Sequence, residues 1–299
     1  MSASRVVARR GGCSIDNYFG IRFTNFNGRG RPARRSVTAM PFADVNGQHL
    51  YYEDTGGNGP AVIFSHGFLM DHEMFAPQVE ALSDEFRCIT WDERGFGATL
   101  ATEPFTYYDS AADCVALLDH LGLDQAVWAG MSQGGFIGLR GALTAPERVR
   151  ALVLIDTQSG KEDEAVAPAY EGMHDEWVAN GPGNVQDIVA GLILGPGVDW
   201  APWLAKWNAA PKTNLTLPFR CLMGRDDVTD RLGEITCPAI VFHGDADQSI
   251  PLEKAHELSE GLPNCEGVVV VKDGPHAANL SHPEQVNGPL RDFLRKHAS

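Results

Sequence analysis

Ala126-Val-Trp-Ala-Gly130-Met-Ser132-Gln-Gly134 and the residues up to Ala145 read as a strand, a sharp turn and a helix. Ala126–Gly130 is a short apolar run, as in a strand buried on both faces. Gly134 to Ala145 has helical character. Between them lies Gly-x-Ser-x-Gly, in the strand–turn–helix setting that this motif requires. Gly130 and Gly134 keep side chains out of a turn too tight for them. Ser132 is thereby pushed to the top of the sheet. The N–H groups and positive dipole end of the adjoining helix favour developing negative charge there. The pattern points to Ser132 as a nucleophile rather than an incidental serine in a structural turn.

Working outward, strands and helices alternate on both sides. Phe42–Val45 and Gln48–Glu53 flank Asn46-Gly47, a strong hairpin signal. Strands are predicted at Ala61–Ser65, Arg87–Asp92, Ala151–Asp156, Pro238–Phe242 and Gly267–Val271. Helices are predicted near 71–83, from Ser110 to His120 with Ala112, Val115, Ala116 and Leu118 on the apolar side, near 252–260, and from Pro283 to Lys296. A hairpin followed by this alternation implies an α/β fold: a mostly parallel sheet with helices on both faces.

Two stretches break the pattern. Residues 1–39 hold eight Arg and one Asp, a charge of +7, which leaves −22 of the total −15 on residues 40–299. The basic stretch lacks an apolar signal core and is excluded from the fold. It reads as a mis-assigned start upstream of Met40, a disordered leader or a transit peptide. Residues 157–236 contain no clear strand, yet carry four of the six Trp residues. They are expected to form a helical cap inserted into a core made of 40–156 and 237–299.

An acidic balance argues against nucleic acid as a partner, since phosphate binding needs clustered Lys and Arg. No run of about 18 apolar residues exists to span a membrane. The six Cys show no C-x-x-C spacing and read as reduced thiols of a cytoplasmic protein. No H-E-x-x-H is present, and neither metal nor cofactor is expected. The oligomeric state is left open by the sequence.

Serine needs a base, and a base needs an orienting carboxylate. His276 lies in a short loop after the Gly267–Val271 strand, where a base belongs. His282 instead belongs to a helix start, with Pro283 at the first helical position. His243-Gly-Asp245-Ala-Asp247 offers two carboxylates after the preceding strand; Asp247 is preferred, with Asp245 as the alternative. The order Ser132, Asp247, His276 fits this architecture. Backbone N–H groups of Gln133 and Phe68 are the expected oxyanion donors. His66 is read as a structural residue of the Phe68 loop.

Five pieces in order resemble the α/β-hydrolase superfamily over residues 41–298. They are Ser65-His-Gly-Phe68, Asp92-Glu-Arg-Gly-Phe-Gly97, Gly130–Gly135, His243–Asp247 and Pro275-His276 followed by His282-Pro-Glu284. The resemblance implies an eight-stranded sheet with an inserted helical cap. It places nucleophile, acid and base on Ser132, Asp247 and His276, and the oxyanion pair on Phe68 and Gln133. Arg94 is expected to pair locally. Pro275 departs from the glycine usual before the base. Serine as nucleophile sets the chain apart from dehalogenase and epoxide hydrolase relatives, which use Asp. The subgroups it resembles are esterases, enol-lactonases, carbon–carbon bond hydrolases and cofactor-free haloperoxidases or perhydrolases. Expected, then, is a serine hydrolase acting through an acyl-enzyme on a small, largely apolar ester or lactone, phthalate-monoester-like substrates included. Trp177, Trp200, Trp203, Trp207, Met173 and Met223 are the candidate pocket residues. The alternatives are C–C bond hydrolysis, perhydrolysis, or a non-catalytic ligand receptor on the same fold.

Overall fold

The computed structural model describes residues 42–298. Residues 1–39, with Cys13, lie outside the described residues. Phe42–Val45 (β1) and Gln48–Asp54 (β2) pair antiparallel. Asn46 and Gly47 between them take φ of 48° and 73°, as a two-residue hairpin turn demands. Ala61–Ser65 (β3), Arg87–Trp91 (β4), Ala126–Met131 (β5), Val149–Ile155 (β6), Ala239–Gly244 (β7) and Cys265–Val271 (β8) complete an eight-stranded sheet. Its order is β1-β2-β4-β3-β5-β6-β7-β8. β2 meets β4 antiparallel, and every pairing from β4 to β8 is parallel.

The strand period sorts side chains to two cores. From β5, Val127, Ala129 and Met131 enter one core and Trp128 the other. The helices are Ala76–Leu82 (α1), Tyr107–His120 (α2), Gln133–Thr144 (α3), Ala167–Asn180 (α4), Gln186–Ile193 (α5), Ala201–Ala209 (α6), Thr216–Met223 (α7), Glu253–Gly261 (α8), Ala278–Ser281 (α9) and Pro283–His297 (α10). Leu290 and Phe293 of α10 line the first core, while Leu117 of α2 and Ile137 of α3 line the second.

α2 corrects the sequence reading. It begins at Tyr107 rather than Ser110, because Thr106 and Asp109 form a reciprocal capping box. Its buried face is Ala111, Cys114, Leu117 and Leu118, whereas Ala112 is exposed and Val115 and Ala116 are half-buried. Asp113 is buried on that face because Arg94 pairs with both of its oxygens, a contact that periodicity alone cannot anticipate. β8 starts at Cys265, two residues before the predicted Gly267.

Between β6 and β7 the described residues form α4 to α7 and several 3-10 turns, with no strand. Pro168 and Pro202 stand in the first turns of α4 and α6, where the missing N–H costs nothing. β3 lies between β4 and β5, so the chain switches direction across the sheet there. The carboxyl ends beside such a switch form the crevice where α/β sheets bind ligands.

Candidate active site

Ser132 directly follows β5 with φ 51° and ψ −112°, a sparsely populated conformation for a residue with a side chain. Glycine makes the turn possible. A Cβ on Gly130 would stand 2.1 Å from the Gly134 carbonyl oxygen, and one on Gly134 would stand 2.0 Å from that of Ser65. The turn is then held from several sides. Ser132 N–H donates to Ile155 O at 2.9 Å, and its own carbonyl accepts from the Thr157 hydroxyl at 2.7 Å.

His276, in the loop after β8, brings Nε2 to 3.0 Å from Ser132 Oγ, 144 residues away in sequence. Its Nδ1 lies 2.8 Å from Asp247 Oδ2, in the loop after β7. In the resting arrangement Nδ1–H donates to the carboxylate, and Nε2 accepts from the serine hydroxyl. Asp247 Oδ1 accepts from Ser249 N–H at 2.7 Å and Ile250 N–H at 3.0 Å. Burial would raise the Asp247 carboxyl, but the facing His276 and these N–H donors hold it below the usual carboxylate range. Ser132 and His276 are both buried. Asp245, the alternative acid, is exposed and accepts from Asp273 N–H at 2.6 Å, so it joins two loops and does not reach His276. His282 sits at the start of α10 and bonds Ser281 Oγ at 2.8 Å.

Sequence reasoning passed over Asp156, at the end of β6. This fully buried carboxyl accepts from Gly244 N–H at 2.8 Å and Ala278 N–H at 3.2 Å. It thereby braces the strand that leads to Asp247 and the segment that follows His276. Burial and the nearby Asp247 charge push it well above the usual carboxylate range. The signal was available as an acidic residue just past an apolar strand. Donor atoms of Asp156, His243 and Asp247 lie within 4.8 Å of one another, the spacing of a metal site. Asp156 is held by two backbone amides, Asp247 by His276, and His243 Nε2–H by Ile250 O at 2.9 Å, while the buried His243 Nδ1 has no hydrogen-bond partner.

Gln133 opens α3, where helix geometry provides no internal acceptor for its N–H. Among the described residues neither this N–H nor that of Phe68, in the loop after β3, has a backbone acceptor. The Gln133 side chain is anchored away from the site. Its Nε2 donates to Glu93 Oε2 at 2.5 Å, and its Oε1 accepts from Tyr107 at 3.4 Å. Glu93 is buried and pushed well above the usual carboxylate range by loss of hydration. His66 bonds the Gly67 carbonyl through Nδ1 at 2.8 Å and accepts from Glu93 N–H at 3.0 Å through Nε2. Burial lowers its pKa, so it stays neutral and fixes the Phe68 loop.

Above Ser132 and His276 opens a cleft with about 870 Å³ of atom-free space, part of it open to solvent. Phe68, Leu69, Phe136, Met173 and Trp177 give it an apolar wall. Met173 and Trp177 are thus where sequence placed them. Trp200, Trp203, Trp207 and Met223 do not line it, which corrects their expected place in the pocket. Trp203 and Trp207, on the buried side of α6, belong to the first core, and Trp207 Nε1–H donates to Leu69 O at 2.7 Å. Trp200 Nε1–H donates to Gly195 O at 2.8 Å within the insertion. Met223 ends α7, outside the lining. The polar lining residues Glu162, Tyr170 and His174 were not anticipated, since they stand in no motif.

A sequence profile of the alpha/beta hydrolase fold matches residues 60–283. A Synechocystis protein provisionally named non-heme chloroperoxidase is 30% identical over 86% of this chain and 100% of its own length. An esterase from Thermogutta terrifontis superposes with a TM-score of 0.77 at 27% identity, covering 87% of this chain and 98% of its own. The enol-lactonase from Burkholderia xenovorans gives 0.77 at 26% identity, covering 85% of this chain and 100% of its own.

Proposed function

This chain belongs to the α/β hydrolase fold family, and we propose that it is a serine hydrolase of small, largely apolar carboxylic esters or lactones. The observation that carries this reading is the hydrogen-bonded line from Asp247 through His276 to Ser132 at the floor of an apolar cleft. In this reading His276 takes the Ser132 proton as Oγ attacks the acyl carbon, and then gives it to the leaving alcohol. Asp247 fixes the imidazole tautomer and stabilises the imidazolium. The Phe68 and Gln133 N–H groups receive the oxyanion, and water resolves the acyl-enzyme through the same base. The esterase and enol-lactonase among the similar structures support this substrate class. In the same reading residues 157–236 act as a cap over the site. The free thiols of the five described cysteines support a reducing, cytoplasmic setting. The test is a panel of chromogenic esters combined with a fluorophosphonate probe. Turnover with labelling confined to Ser132 is expected; labelling elsewhere overturns the mechanism.

A second reading has a specific support, the chloroperoxidase-named relative that matches along its whole length. Hydrogen peroxide would replace water in resolving the acyl-enzyme and release a peracid. Peracid formed from acetate and peroxide faster than esters are hydrolysed would favour it.

A further inference from the structure

The cleft carries an asymmetry of charge. Among the described residues that line it there is no Lys or Arg, and Glu162 is the single carboxylate. Glu162 does not reach into the cleft unaccompanied. Arg225 donates from Nη2 to its Oε2 at 3.2 Å. The Arg225 side chain is 1% exposed, with Nε–H donating to Gly160 O at 3.1 Å and Nη1–H to Leu222 O at 2.8 Å. Its guanidinium also stands 4.5 Å from the ring centre of Phe136, which itself lines the cleft. A fully anchored arginine thus lies behind Phe136 and Leu222 of the wall, and Glu162 takes the guanidinium nitrogen that the backbone carbonyls of Gly160 and Leu222 leave over.

We propose that Glu162, docked on Arg225, is a substrate-charge filter: it occupies the guanidinium site at the cleft wall and turns away acyl or alcohol groups that carry a second carboxylate. The physical reason is twofold. A substrate carboxylate would meet Glu162 in a largely apolar, weakly screened space, where like charges repel far more than in water. It would also find the matching planar donor already taken, and a desolvated carboxylate without a partner is costly. Ligands that are neutral at this end meet neither penalty. The accepted class is therefore uncharged esters and lactones, and monoesters of dicarboxylic acids, including the phthalate monoesters that the sequence resemblance suggested, are poor substrates. This narrows the hydrolase reading and, for its kinetic arm, rests on it.

The experiment compares p-nitrophenyl pentanoate with mono-p-nitrophenyl glutarate, which replaces the terminal methyl by a carboxylate. The readout is the anionic-to-neutral ratio of kcat/KM. Wild type should strongly favour the neutral ester. Glu162→Ala, which uncovers Arg225, should raise the ratio by at least about tenfold. Glu162→Gln removes the charge but keeps an acceptor on Arg225, and should raise it less, by roughly threefold. Adding Arg225→Met to Glu162→Ala should cut the gain to no more than the roughly threefold of Glu162→Gln, because the repulsion is gone but the donor is gone with it. Glu162→Gln keeps the proposal testable if the alanine variant does not fold. A second arm needs no turnover: Trp fluorescence titration with 4-phenylbutyrate and 4-phenylbutyramide, read as the ratio of their Kd values in the same proteins. If no ester is hydrolysed but the Kd ratio shifts as stated, the filter stands and the hydrolase reading falls. Ratios unchanged within about twofold in both single variants, or failure of both ligands to bind, overturn the filter.

Discussion

The floor and the roof of the cleft are built on different principles. On the floor, Ser132 and Asp156 hold positive φ at strand ends, and Asp156 and Asp247 each accept two backbone N–H groups. The parallel ladder fixes the strands beneath them to their neighbours. In the proposed reading residues 157–236 form the roof, and they add no strand to that ladder. The roof meets the floor through apolar packing, through bonds such as Ala277 N–H to Ile193 O at 2.8 Å and Trp207 Nε1–H to Leu69 O at 2.7 Å, and through the ion pairs Lys206–Asp71 and Arg140–Asp226, each at 2.6 Å. Packing of this kind can change in shape without moving the atoms that react. The comparison separates consequences: floor substitutions should change the rate of chemistry, and roof substitutions should change stability or choice of substrate.

The largest expected effect is on the floor. Ser132→Ala should fold normally and lose roughly 10⁴-fold or more in kcat, and Asp247→Asn should lose about 10²–10⁴-fold by leaving His276 without its orienting charge. Melting curves recorded beside the kinetics check that the loss is chemical. A Ser132→Ala protein that keeps its ester turnover would break the comparison at its base.

Next comes a roof residue that serves stability. Trp207→Ala removes a buried indole and its bond to Leu69, at a cost of about 3–5 kcal/mol. Denaturant unfolding should register that cost. The relative preference among acyl chain lengths should change far less than stability, because the indole lies outside the cleft lining and touches it only from behind, through Leu69 and Trp177. A changed preference with unchanged stability would erase the distinction between roof packing and roof specificity.

The same division governs what could be read in the sequence. β3 and β5 were legible because strands buried on both faces leave uninterrupted apolar runs. Ser132, His276 and Asp247 were legible because each must follow such a run, and the structure brings all three within hydrogen-bond reach. The roof gave composition without placement. Its Trp residues signal a buried apolar layer, but only three-dimensional packing sends Trp177 to the cleft and Trp207 to the core. Glu162 was illegible for a further reason. Its role depends on Arg225, 63 residues on, and no local pattern announces that pair.

A third prediction sharpens the account of the floor. The unfolded chain ionises Glu93 near pH 4.3, whereas burial in the fold keeps it protonated well above that. Within this window the folded chain holds a proton that the unfolded chain has released, so Glu93 makes stability fall as pH rises. Glu93→Gln has no proton to lose and can still accept from the Gln133 amide. Its stability relative to wild type should therefore improve from pH 4 upward, by up to about 1.4 kcal/mol per pH unit inside the window. Because the comparison is between two proteins at each pH, all other titrating groups cancel. A difference that is constant with pH, or shrinks as pH rises, would mean that Glu93 is ionised in the fold.

The smallest effect probes the roof as a specificity element. Met173 lines the cleft and is only half-buried, so its removal disturbs the core less than loss of a Trp. Met173→Ala deletes the side chain beyond Cβ and lengthens the apolar space above Ser132. Each methylene that the enlarged cleft shelters from water contributes roughly 0.8 kcal/mol, or about fourfold in kcat/KM. The acyl-length optimum should therefore move to longer chains by one to three carbons, as a rough estimate on that scale. Trp200→Ala is the matched control, since its indole bonds Gly195 within the insertion and does not line the cleft. Its chain-length profile should keep the wild-type maximum. The measurement is kcat/KM across p-nitrophenyl acetate, butyrate, hexanoate and octanoate for the three proteins. If Met173→Ala and wild type share one optimum, either the helices collapse into the space or the acyl chain lies elsewhere. A cavity-sensitive probe such as xenon binding separates these outcomes. An open but unused space would show that the roof covers the site without selecting what enters it.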